Sequence, residues 1–210
     1  MYKLYYGAGA CSMAIHIALR ECDQQVTLEK VDLMAGQQRS PEFLKINSRG
    51  QVPVLMDDNQ IIREGAAIMI HVLEKHKSPL LPQSGSARTT ALEWLMFGNA
   101  TLHPAYARCF FLMKNAEDGP GKDKLLDAAC AAINKLWEDV EQQLGTHAYL
   151  CGNDITIADI LVTVIANWSA RMPKPITFGP RTKKLFQTVI ARPAYKKAME
   201  TEQVEYKVAA

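Results

Sequence analysis

Long apolar runs are missing from this 210-residue chain, so no segment has the length of a membrane span. Its opening, Met1-Tyr2-Lys3-Leu4, runs straight into a strand pattern and carries no signal-peptide profile. Excess charge of one sign is also missing. Lys and Arg number 24 against 22 Asp and Glu, a net of +2, with no basic stripe to suggest nucleic acid. The five cysteines (Cys11, Cys22, Cys109, Cys130, Cys151) are odd in number, widely spread and without metal-ligand spacing. That argues against a disulfide frame or a zinc site and for reduced thiols. No internal repeat and no low-complexity tract occurs. The expectation is a cytoplasmic protein of one or two ordinary globular domains, with no metal, nucleic acid or membrane partner.

The first part of the chain alternates strand and helix. Strand patterns cover residues 3–6, 26–31, 54–56 and 61–62, and helix patterns cover 11–22 and 64–75. A partly helical piece lies around 41–46. Strand-helix-strand implies a parallel pair with a right-handed crossover. The turn Asp57-Asp58-Asn59-Gln60 reads as a hairpin. The sum is βαβ followed by ββα, an α/β unit. Residues 77–86 carry two prolines, a glycine and three serines and read as a linker. Beyond it strand patterns stop. Helical runs at 87–114, 122–144, 155–171, 182–191 and 193–204 read as an all-α bundle. The expected domains are therefore 1–78 and 87–210.

Two motifs in the first part fit a small zwitterionic peptide. In Gln51-Val52-Pro53-Val54, a proline opening a strand can hold a cis turn. Such a turn would leave the Val52 N–H and C=O free to pair with an extended peptide. In Arg63-Glu64-Gly65-Ala66, a helix begins with uncovered N–H groups, a seat for a carboxylate, and Glu64 can take an amine. Taken singly, the first is an ordinary turn and the second an acid answering the helix dipole. Their order along the chain is what raises the site reading.

Upstream, Gly7-Ala8-Gly9-Ala10-Cys11-Ser12 breaks the first strand and puts Cys11 where a helix begins. A thiol there gains from the dipole and from free N–H groups, which favours its thiolate, and Ser12 adds a hydroxyl donor. The alternative is a buried structural cysteine. Ala14 rules out a Cys-x-x-Cys pair. In the second part, Asn99 and His103 stand four apart on one helix face, with a kink expected at Pro104. His103 is either a proton donor or acceptor at a cleft, or a satisfied structural histidine. Thr156-Ile157-Ala158-Asp159 reads as a capping box ahead of a very apolar helix, so Asp159 is a folding residue.

In order and spacing, these motifs resemble the cytosolic glutathione transferases, most nearly the bacterial beta class, over essentially the whole chain. The resemblance implies an N-terminal thioredoxin-like domain, a C-terminal helical bundle and a homodimer. It also implies glutathione as co-substrate. Cys11 would face its sulfur, Val52 before Pro53 would pair with its cysteinyl backbone, and Glu64 and Gly65 would hold its γ-glutamyl end, with Gln51 nearby. His103 matches the beta-class histidine, and Asn99 a polar position facing glutathione. Trp168 and Tyr106 fall in the electrophile pocket. Three positions depart from the pattern: Pro104 and Ala35 replace lysines, and Ala8 stands where proline is common.

The expected activity is conjugation of glutathione to small hydrophobic electrophiles, a detoxifying transferase with Cys11, Ser12 and His103 as catalytic residues. One alternative is a thiol transferase or disulfide reductase working through a Cys11 mixed disulfide. Another is a non-catalytic binding module on the same fold. A third is a specialised isomerase or dehalogenase of the same family.

Overall fold

The computed structural model describes residues 1–208. They form two compact units, Met1–Gln83 with Arg192–Glu205, and Ser84–Ala191 with the residues from Tyr206 on.

The first unit is built on a four-stranded sheet in the order β2-β1-β3-β4. Strand β1 (Tyr2–Tyr6) leads through α1 (Ser12–Glu21) to β2 (Val26–Lys30), which pairs parallel to β1. Strands β3 (Val54–Asp57) and β4 (Gln60–Arg63) form the expected hairpin, and β3 runs antiparallel to β1. Central β1 is almost wholly buried, whereas outer β4 is half-exposed. The piece around residue 41 is a true helix, α2 (Pro41–Ile46). Proline at its start suits a helical first turn, and the Ser40 hydroxyl accepts the Phe43 N–H at 3.2 Å. Helix α3 (Gly65–Lys75) follows β4. In the linker, Leu80 and Leu81 are both buried.

One element of the first unit comes from the far end of the chain. Helix α9 (Pro193–Glu202) packs on α1 and is fastened there at both ends. Arg192 donates twice to the Glu21 carboxylate, at 2.7 and 2.6 Å, the bidentate geometry that makes such pairs strong. At the other end the Glu202 carboxylate lies 2.9 Å from His16 Nδ1.

The second unit is all helical among the described residues. Helix α4 (Gly85–Met96) passes into a π-helix (Phe97–Leu102) and then into α5 (His103–Asn115). The sequence predicts one run here with a kink at Pro104. The wide π turn is how the chain absorbs the N–H that proline lacks while staying helical. Gly98 makes it fit, since a Cβ there would stand 2.9 Å from Leu161 Cδ2. Helices α6 (Pro120–Gln143), α7 (Ile157–Ala166) and α8 (Pro180–Ile190) complete the bundle, with a 3₁₀ turn at Asn167–Arg171. Every residue of α7 is buried. It opens with the capping box, in which the Asp159 carboxylate accepts the Thr156 N–H at 2.8 Å and hydroxyl at 3.1 Å. Its other oxygen accepts the Leu150 N–H at 2.9 Å, so Asp159 also secures the preceding loop.

Candidate active site

Sheet register brings the three motifs of the first unit together. Tyr5 pairs with Val54, and Val54 with Arg63, so these residues stand in one row across the sheet. The chain leaves β1 just past that row toward Cys11. It enters β3 at the row from Val52-Pro53, and it leaves β4 there for Glu64 and Gly65. Three segments far apart in sequence thus converge on one sheet end. The charge of Glu64 is felt at Cys11, where it opposes ionisation of the thiol.

The Val52–Pro53 bond is cis, as the sequence predicts. Among the described residues, the Val52 N–H and C=O make no hydrogen bond. The turn before it is organised by Asn47, a buried residue the sequence reading passed over. Its Nδ2 donates to the Gln51 carbonyl at 2.7 Å, its Oδ1 accepts the Arg49 N–H at 3.2 Å, and its carbonyl accepts the Gly50 N–H at 2.9 Å. Gln51 itself is exposed.

Helix α3 begins with no side-chain cap, so the N–H groups of its first turn remain open to an anion. Glu64, just before it, holds φ at 71°, a left-handed backbone that non-glycine residues rarely adopt and that clusters at binding sites. Its side chain is exposed and forms an ion pair with Arg49. A carboxylate, a guanidinium and open N–H groups side by side make a pattern for an amino-acid end, with Arg49 a partner the sequence reading did not identify.

Cys11 sits half-buried as the N-cap of α1. The expectation of a favoured thiolate is corrected here. Burial pushes the thiol up to about 11, and the Ser12 and Cys11 N–H groups that aim at the sulfur only partly offset it. Ser12 is also placed differently from the reading. Its hydroxyl is fully buried and donates to the Gly7 carbonyl at 3.2 Å while accepting the Gly7 N–H at 3.2 Å. It closes the loop and has no proton to spare for a neighbour.

In the second unit, Asn99 lies half-buried in the π-helix and His103 begins α5. The His103 ring meets Trp168 edge-on at 4.9 Å. Burial lowers the His103 pKa, which favours the uncharged ring, with one N–H donor and one acceptor nitrogen, at neutral pH. Tyr106 departs from its expected place in an electrophile pocket. It is fully buried, and its hydroxyl accepts from Trp137 Nε1 at 2.8 Å and shares a hydrogen bond with Ser169 Oγ at 2.5 Å. Trp168 is buried too and has Phe110 as a further neighbour, with ring centroids 6.3 Å apart. Arg171 lies over the Phe110 ring at 5.0 Å. No cluster of three or more potential metal ligands occurs among the described residues, and no helix there is long and apolar enough to cross a membrane.

Two family models match the chain, the glutathione S-transferase N-terminal domain over residues 1–74 and the C-terminal domain over 71–193. The chain is 29% identical to glutathione S-transferase GstA of Escherichia coli O157:H7, over 95% of this chain and 98% of that protein. A sphingomonad glutathione S-transferase solved in complex with glutathione superposes with a TM-score of 0.83 at 27% identity, over 97% and 100% of the two chains. A beta-class enzyme of Sphingomonas chungbukensis gives a TM-score of 0.83 at 25% identity, again over 97% and 100%. With both halves matched and relatives aligned along nearly their full length, this chain belongs to the glutathione S-transferase family.

Proposed function

We propose that the chain binds glutathione at the sheet end described above and conjugates its sulfur to small hydrophobic electrophiles. The convergence of three elements carries this reading: unpaired backbone at Val52, the uncapped start of α3 beside Glu64, and Cys11 opening α1. Glutathione is a peptide with a free amine, two carboxylates and a thiol, and its backbone, amine, γ-glutamyl carboxylate and thiol each find a chemical partner there. The Val52 backbone pairs with the peptide. The first turn of α3 and Arg49 take the γ-glutamyl carboxylate, and Glu64 takes its amine. The thiol lies toward Cys11, whose S–H is placed to donate to the glutathione thiolate, as oriented donors do for developing anions. A cysteine that stays protonated serves as a donor rather than a nucleophile, which favours conjugation over a mixed disulfide. In the second unit, His103 and Phe110, with buried Trp168 packed against His103, supply aromatic surface suited to an apolar electrophile, and Asn99 keeps the role given by the family resemblance. A homodimer, a cytoplasmic location and a detoxifying role complete the proposal.

Calorimetry with glutathione, joined to intact-mass measurement after oxidised glutathione, tests it. Binding without an adduct supports conjugation. The mixed-disulfide alternative requires a Cys11 thiolate to attack one sulfur of the oxidised ligand, forming a Cys11–glutathione disulfide and releasing one glutathione. An adduct absent from Cys11→Ala would favour that chemistry. Absence of binding would remove the enzyme reading and leave a binding module.

A further inference from the structure

We infer that Arg171, whose guanidinium lies over the Phe110 ring, determines specificity at the electrophile surface: it selects aromatic electrophiles that carry a carboxylate. This deepens the proposed conjugation and rests on the reading of His103 and Phe110 as the surface that receives the electrophile.

Two elements of the second unit build the arrangement. His103, Tyr106 and Phe110 recur at spacings of three and four, so they share one face of α5. The 3₁₀ turn Asn167–Arg171 packs there through Trp168, whose ring lies 4.9 Å from His103, 5.9 Å from Tyr106 and 6.3 Å from Phe110. Arg171 ends the same turn, and its guanidinium carbon stands 5.0 Å from the Phe110 centroid. A row of planar groups thus runs from the His103 imidazole through Trp168 and Phe110 to a cation. The turn that carries the cation is fastened. Asn167 Oδ1 accepts the Lys207 N–H at 2.8 Å, the Ser169 hydroxyl shares a bond with Tyr106 at 2.5 Å, and the Ser169 carbonyl accepts the Met172 N–H at 3.1 Å. A guanidinium stacked on a ring and mounted on a fixed turn loses less freedom when it binds.

The charge on Arg171 is what lacks an answer inside the chain. Arg49, Arg181 and Arg192 each meet a carboxylate, on Glu64, Glu141 and Glu21. Among the described residues the Arg171 guanidinium has the Phe110 ring and no acid. Arg171 is exposed over part of its surface, yet burial lowers its pKa and no neighbouring carboxylate works against that shift. A cation in that condition gains from an anion that a ligand brings. Its ring-facing side is taken by Phe110, which leaves the N–H edge of the planar fork, the edge that matches a carboxylate. The aromatic row beside it suits a flat apolar body. The ligand that satisfies both is an aryl ring bearing a carboxylate.

With an aryl chloride of this class the step balances without any redox partner. The glutathione thiolate adds to the chlorine-bearing carbon, the C–S bond forms and the ring takes up the negative charge. The C–Cl bond then breaks and chloride leaves with its electron pair, while the thiol proton has gone to solvent. The carboxylate takes no part in these bonds. Arg171 therefore holds the ring equally before and during reaction, and its effect belongs in KM rather than kcat.

The test compares para-chloro-dinitrobenzoate with the matching neutral benzamide, at saturating glutathione, in wild type and R171Q. In R171Q the KM for the benzoate is expected to rise about tenfold, with its kcat and both constants for the benzamide within about twofold of wild type. Arg171→Lys keeps the charge but not the planar fork, and its benzoate KM is expected to fall between. A loss shared equally by benzoate and benzamide would mark a packing role, and an unchanged benzoate KM a bystander; either overturns the inference. If the wild type conjugates neither compound, the proposed function fails and the anion seat is judged by calorimetry with dinitrobenzoate lacking the chlorine. Binding about tenfold tighter to wild type than to R171Q sustains it, and equal or absent binding sinks it. Should R171Q not fold, the wild type alone decides: it is expected to bind dinitrobenzoate about fivefold tighter than dinitrobenzamide at low salt, with the preference shrinking at high salt, and no preference refutes the seat.

Discussion

Cys11 and Glu64 carry the chemistry at the scale of single residues, and neither behaves as its local sequence suggests. A helix N-terminus favours a thiolate, yet burial outweighs it and pushes Cys11 up to about 11. The folded pKa is therefore above the ordinary value of 9.0. In sign, this term favours the folded chain below pH 9 and is lost as pH climbs toward 11, because the unfolded thiol ionises first. Labelling of Cys11 in ligand-free wild type should accordingly keep rising beyond pH 9; a plateau near pH 8 would show that the thiolate forms readily after all. Glu64 faces the same question from the binding side. Its pair with Arg49 is exposed and contributes little to stability. We expect Glu64→Ala to leave the melting temperature unchanged and to weaken glutathione binding about tenfold, roughly 1.4 kcal/mol, by calorimetry. Unchanged affinity would remove Glu64 from the seat.

Helix termini dominate at the scale of elements. Helix α8 starts at Pro180 and is capped from another helix altogether. Glu141 of α6 accepts the Arg181 N–H at 3.2 Å and, at its other oxygen, the Thr182 N–H at 2.8 Å and hydroxyl at 2.7 Å. Burial raises the Glu141 pKa, but the Thr182 and Arg181 donors outweigh it and hold the carboxyl below its ordinary value. Gly179 leaves room for this carboxylate, because a Cβ there would stand 2.2 Å from its Cδ. Glu141→Ala should cost about 2 kcal/mol in denaturant unfolding, and Gly179→Ala about 1–2 kcal/mol by displacing the same cap. The two should not add: Gly179→Ala should be nearly neutral once Glu141 is gone, and additive losses would contradict this account. Asp159 serves α7 in the same way. Asp159→Ala strands two buried donors, the Leu150 and Thr156 N–H groups, and leaves the Thr156 hydroxyl only the Cys151 sulfur, so it should destabilise by about 3 kcal/mol, with Asp159→Asn falling between.

For the molecule as a whole, the long-range fastenings matter most. The first unit is closed by a helix from the C-terminal end of the chain, bolted to α1 by Arg192–Glu21 and by Glu202–His16. The second has the apolar helix α7 at its centre and an aromatic group of Trp137, Phe178 and Phe186 packed edge to face. The proposed homodimer is a statement at this scale too. Sedimentation at micromolar concentration is expected to give twice the 23.4 kDa chain mass, and a lone 23.4 kDa species would refute it.

What the sequence determined by itself was whatever short-range physics decides. Apolar spacing marked the strands and helices, the proline before Val54 marked the turn, and Thr156 with Asp159 marked a cap, because in each the interacting groups lie within a few residues. The site was legible as motifs for the same reason: Gly9-Ala10-Cys11, Val52-Pro53 and Glu64-Gly65 are each local signals. Only the tertiary structure decided how those signals combine. Sheet register brought three loops to one edge, and burial, a property of the packed whole, reversed the expected ionisation of Cys11. The hydroxyls of Ser12 and Tyr106 found their partners inside the fold and so were withdrawn from the chemistry assigned to them. Glu202 left no local trace, since its partner Gly9 stands 193 positions away and a lone glutamate in a polar C-terminal helix looks like a solvated residue. Distances of that kind are set when the chain closes on itself, after the local preferences have already been spent.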